Sequence, residues 1–204
     1  MEEGDTLRLQ ARGLNGAGTV VTGATVTWAT DDSITGFTLD KASGLVTGVK
    51  PGTWTARVFA VIDKFQSDGL TLIVTPQPDT IAAATTRITM TAQSSVSPLL
   101  AVTVYDRTTH LDTLTGITGK PVAFQVILPA TGGGFFLTRD SLAGADPRAA
   151  TALTVSTGVA QVTARRVPGQ AQPDSAVVEA RVTTARGVAV AGSPIRFVIL
   201  FPTN

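Results

Sequence analysis

Apolar and polar residues alternate along most of this chain with a period of two. In Thr6-Leu7-Arg8-Leu9-Gln10-Ala11-Arg12 the pattern sets Leu7, Leu9 and Ala11 on one side and the polar residues on the other. That is the signature of a half-buried strand, because successive side chains of extended backbone point to opposite faces. The pattern returns in residues 24–29, with Val26 and Trp28 inward. It returns again in 53–62, with Trp54, Ala56, Val58 and Ala60 on one face. Shorter strands are expected at 36–40, 45–49 and 70–75. Further along, strands are expected at 87–92, 99–105, 121–128, 134–137, 149–155, 159–166, 175–183 and 193–201. No window keeps helical spacing over three turns, so the expected class is all-β.

Glycine and proline punctuate these runs, as many short strands joined by turns require. Thr75-Pro76-Gln77-Pro78-Asp79 stands out, since two prolines around a polar residue make a short, extended linker. Two tandem immunoglobulin-like β-sandwich domains are therefore expected, over residues 1–76 and 80–204, with 77–79 between them. The total of 204 residues fits two such domains better than one. Long polar loops are expected at 108–119 and 139–148, and such loops on a rigid sandwich are where binding usually sits.

Motifs in the first half resemble a known family. The run is Leu7-x-Leu9-x-Ala11, then Gly23-Ala24-Thr25-Val26-Thr27-Trp28, Ser43-Gly44-Leu45-Val46-Thr47-Gly48 and Pro51-Gly52-Thr53-Trp54-Thr55-Ala56. Over residues 5–76 it resembles the bacterial immunoglobulin-like domains of group 2. The strand that usually opens that domain is not seen ahead of Leu7, which implies an open sheet edge that a partner strand can complete, or a truncated start. The second half, residues 80–204, resembles the invasin/intimin-type group 1 domains more loosely. The matching runs are Leu100 to Asp106, Gly119 to Phe124 and Ser156 to Ala160. These resemblances imply a fold and an extracytoplasmic setting, periplasmic or at the cell surface, and carry no catalytic residues across. The partners implied are other envelope proteins, including a membrane complex or a strand donor at the N-terminal sheet edge.

Composition narrows the chemistry. The net charge is +1, with eight acids and six bases in residues 1–76 and seven acids and ten bases in the rest. That gives no general case for nucleic acid or anionic membrane, and leaves a basic face on the second half open. Without cysteine there is neither a disulfide nor a thiolate metal site. No stretch reaches the roughly 18 apolar residues of a membrane span. The polar start, Met1-Glu2-Glu3-Gly4-Asp5, does not read as a signal peptide.

Candidate chemistry is sparse. His110, the one histidine, has Asp106 and Asp112 near in sequence but no nucleophile motif, and reads as a solvated loop residue. Asp31, Asp32 and Asp40 supply oxygens of the kind calcium takes, without the D-x-D-x-D-G spacing. A glycoside hydrolase would need paired carboxylates across a cleft, and Glu2, Glu3 and Glu179 show no pairing. Gly132-Gly133-Gly134 lacks the Lys-Ser/Thr of a phosphate loop and reads as a flexible turn. Phe135 and Phe136 must face opposite ways on a strand, one into the core and the other available to a partner. Arg165 and Arg166 are further candidates for partner contact, whereas Trp28 and Trp54 read as core. No cofactor is expected. The expected role is a non-catalytic docking or adhesion module, the alternatives being an accessory subunit on a membrane complex and, more remotely, a carbohydrate-active enzyme fragment.

Overall fold

The structure is a computed structural model and describes residues 1–30, 36–52, 56–108, 113–139 and 146–202. Among the described residues every regular element is a β-strand, and the chain divides into two compact units, Met1–Gln77 and Pro78–Asn204.

The first unit holds β1 (Thr6–Arg8), β2 (Thr27–Thr30), β3 (Phe37–Leu39), β4 (Leu45–Gly48), β5 (Ala56–Ile62), β6 (Phe65–Gln66) and β7 (Leu70–Leu72). One sheet runs β1-β4-β3, and the other is built on β5, with β2, β6 and β7 paired to it. All these pairings are antiparallel. The two sheets bury Trp28, Phe37, Val46, Val58 and Leu72 between them. Trp28 is 9% exposed. It fits because Gly44 lies against its indole: a Cβ on Gly44 would stand 2.5 Å from Trp28 Nε1. The inward row Ala56, Val58 and Ala60 is buried as its alternation requires.

One expectation for this unit needs correction. Leu7 and Ala11 are exposed, and only Leu9 of that trio is buried. The strand stops at Arg8, which leaves Ala11 outside it, while Leu7 pairs with Val46 within β1 and is exposed there; Leu9 N–H donates to Gly44 O at 2.9 Å. Residues 1–3 run beside residues 73–75, and β1 stands at the edge of its sheet. Glu3 N–H donates to Thr75 O and Thr75 N–H to Met1 O, each at 2.9 Å, with Glu2 and Thr75 in a parallel bridge.

The second unit holds β8 (Thr80–Ala82), β9 (Arg87–Thr89), β10 (Leu100–Thr108), β11 (Thr113–Gly116) and β12 (Pro121–Leu128). It continues with β13 (Phe135–Thr138), β14 (Ala149–Leu153), β15 (Val159–Arg166), β16 (Ser175–Arg181) and β17 (Ile195–Leu200). One sheet runs β11-β10-β15-β13 with β8 also paired to β10, and the other runs β14-β12-β16-β17-β9. The single parallel pairing among these strands is β9 on β17. Alternate residues of both sheets fill the core. Val122, Phe124, Val178, Phe197 and Ile199 come from one sheet, and Leu100, Val102 and Leu137 from the other, all at most 1% exposed. Phe124 and Phe197 meet with ring centroids 6.5 Å apart.

Candidate functional site

Strand register sets which residues the sheet β14-β12-β16-β17-β9 turns outward. Along β16, Ala176, Val178 and Ala180 enter the core, so Val177, Glu179 and Arg181 face away from it. Opposite Glu179 stand Gln125 of β12 and Arg196 of β17. Opposite Val177 stands Val198, and opposite Val198 stands Arg87 of β9. The open face thus carries Arg87, Arg181, Arg196 and Glu179 as its charged residues on these strands, with Gln125, Val198 and Thr151 around them.

Glu179 points away from the core yet is only 2% exposed, because arginine side chains cover it. Arg196 Nε donates to its Oε1 at 2.9 Å, and Arg181 Nη2 donates to its Oε2. The Arg196 hydrogen bond, with that from Arg181 beside it, holds the Glu179 carboxyl below the usual carboxylate range against the opposing effect of burial. The arginines themselves stay open, Arg181 at 54% and Arg196 at 70% side-chain exposure. The arrangement does not offer Glu179 as a proton donor or nucleophile. It fixes two guanidinium groups in place on a sheet face.

The residues singled out in the sequence fall elsewhere. Phe135 is 6% exposed and packs on Phe201, ring centroids 5.1 Å apart, so it is a core residue and no partner anchor. Phe136 is half-buried. Arg165 and Arg166 end β15 and are both half-buried. Arg166 donates from Nη1 to Ala92 O at 2.8 Å and from Nη2 to Thr91 O at 3.4 Å, which makes it a tie to backbone. Trp54, His110, Asp31, Asp32 and Asp112 lie outside the described residues. Asp106 sits in β10 opposite Thr115. Asp40 caps its own turn, accepting from Ser43 Oγ at 2.7 Å and from Ala42 N–H at 2.9 Å. Those bonds, the serine hydroxyl foremost, lower its pKa.

The Gly132-Gly133-Gly134 turn is pinned, contrary to the expected flexibility. All three glycines have positive φ, at 65°, 119° and 60°. Arg148 donates to Gly132 O at 3.0 Å, Val126 O at 3.0 Å and Pro129 O at 2.5 Å. Gln172 Nε2 donates to Gly134 O at 2.6 Å. The Gly132 and Gly134 carbonyls thereby accept from the protein's own side chains.

Sequence reasoning missed the Arg181–Glu179–Arg196 cluster and the role of Arg148. The available signal for the first was an acid at a polar position of a strand with an arginine two residues on. The second arginine is 17 residues away, and only the β16–β17 register brings it near. In the first unit a cleft of about 620 Å³ is lined by Leu14, Val21, Ile62 and Phe65 among others. Phe65 is 69% exposed there.

No protein-family model matches the chain, and no match is found among curated proteins. Solved structures similar to it include domains 4 and 5 of the S-layer protein SbsC, at 16% identity and a TM-score of 0.33, covering 96% of this chain and 81% of that one. The Yersinia pseudotuberculosis adhesin InvE is similar at 19% identity and a TM-score of 0.44. There the match covers 100% of this chain and 56% of that one, so the chain spans little more than half of the adhesin structure. The D00-D0 domain of intimin is similar at 15% identity and a TM-score of 0.37, covering 99% and 94%.

Proposed function

We propose that this chain is a non-catalytic docking or adhesion module of a bacterial envelope or surface protein, built from group 2-type and group 1-type immunoglobulin-like domains. One observation carries the reading: the outer face of the sheet β14-β12-β16-β17-β9 holds apolar and guanidinium groups out to solvent on paired strands. Leu128 is 54% exposed, Leu153 55% and Val198 36% on or beside this face. Their backbones are fixed by the ladder, so ordering them against a partner costs little further entropy. Leu128 and Val198 both flank Val177 in the ladder, and apolar side chains beside guanidinium groups suit a protein interface.

Native envelopes solubilised gently and separated on a density gradient test the reading. Migration of the chain in a fraction heavier than its own mass is expected. Migration alone, at every detergent and salt condition that keeps known assemblies intact, would reject docking.

A further inference from the structure

We propose that the outer face of the sheet β14-β12-β16-β17-β9 binds an acidic protein surface. In this contact the guanidinium groups of Arg87, Arg181 and Arg196 receive carboxylates, and the apolar side chains beside them receive apolar groups. This deepens the docking reading above and rests on it.

The sign of the partner follows from which charges reach solvent. Of the charged residues these strands turn outward, three are arginines and one is an acid. The acid, Glu179, is 2% exposed beneath two of the arginines. Asp146 and Asp174, the next acids along the chain, precede β14 and β16 and lie beyond the strand ends. The cations stand on three adjacent strands, β9, β17 and β16, and so spread across roughly 10 Å perpendicular to the strands and about four residues, roughly 13 Å, along them. Each guanidinium has five N–H donors. Glu179 uses one from Arg196 Nε and one from Arg181 Nη2, which holds both groups still and leaves donors for a ligand. A guanidinium held in place before binding loses less freedom on binding.

The choice of a protein over a phosphate polymer follows from what lies beside the cations. Val198 is exposed between Arg87 and the half-buried Val177, and Leu200 is half-buried beside it on the same outward row of β17. A polyphosphate chain would leave these apolar groups wet. A protein surface buries them, and arginine interleaved with apolar side chains is the composition of interface cores.

The test uses the full chain and a fluorescein-labelled, glutamate-rich peptide carrying two leucines, read by fluorescence anisotropy. The same peptide with glutamine for glutamate, and inorganic polyphosphate, serve as comparison probes. Wild type should bind the glutamate peptide in preference to the glutamine one and weaken as salt is raised. Arg87→Glu and Val198→Glu, neither of which touches Glu179, should each weaken binding by about fivefold, and together by at least about tenfold. Thermal melts of both variants check that they fold. Equal binding of the two peptides, or variants that bind like wild type, would overturn the proposal. Tighter binding of polyphosphate with the same dependence on Arg87 would overturn it in favour of a phosphate polymer. A chain that migrates with a larger assembly yet ignores the glutamate peptide keeps the docking reading and loses this one.

Discussion

Replacing Gly44 with alanine tests the packing of the first unit at its tightest point. Gly44 has φ of +70°, and a Cβ there would meet Trp28 Nε1 at 2.5 Å and Cε2 at 2.7 Å. Left-handed backbone costs a non-glycine residue about 1–2 kcal/mol. Forcing an extra carbon into a packed site costs about 1–3 kcal/mol. Loss of unfolded-state freedom returns about 0.4–1 kcal/mol. The expected net loss is about 2–4 kcal/mol. A unit of 77 residues has total stability of roughly 4–12 kcal/mol, so the change is large. Gly23→Ala separates strain from packing: its φ is +80° with nothing within 4 Å of the added carbon, so only about 1 kcal/mol should be lost. Both tryptophans, Trp28 and Trp54, fall within residues 1–77, so tryptophan emission during urea unfolding reports this unit alone. Equal midpoints for the two variants would refute the seating of Trp28 on Gly44.

Other outcomes follow from the same geometry. Phe135→Ala should cost the second unit about 3–4 kcal/mol and Phe136→Ala well under half of that, measured by calorimetry, because only Phe135 fills the core. Arg148→Met strips three backbone carbonyls of their donor and should cost about 2 kcal/mol; an unchanged melting point would mean that water satisfies them equally well. Since the folded Glu179 carboxyl titrates below its unfolded value of about 4.3, its ion pairs stabilise the second unit above that pH. Their contribution is lost as pH falls through the lower, folded value. Glu179→Gln should therefore flatten the acid limb of the stability profile, and an identical limb would show that other groups set it.

The alternation of apolar residues made the strands of the second unit legible. The expected spans 121–128 and 159–166 are those observed for β12 and β15. Short strands were legible where apolar runs sit between turn residues, as at 36–40, 45–49 and 70–75, and three others were not. Thr80–Ala82, Phe65–Gln66 and Thr113–Gly116 exist through pairing to β10 or β5, and two to four residues carry no period of their own. Ala11 misled for the converse reason, since the alternation runs past the end of β1 at Arg8. Adjacent Phe135 and Phe136 were legible as a pair facing two ways, though which one faced the core needed the register of β13. The arginine face was out of reach. Arg87, Arg181 and Arg196 are scattered over more than a hundred positions, and only the sheet order β16-β17-β9 gathers them.

The central claim is that this chain docks through that face. Gradient migration of the folded double variant Arg87→Glu, Val198→Glu, beside wild type in the same solubilised envelopes, tests it most directly. Wild type is expected in a heavier fraction and the variant near its own mass. Co-migration of the variant with wild type in the heavy fraction, or of both near their own mass, would contradict it.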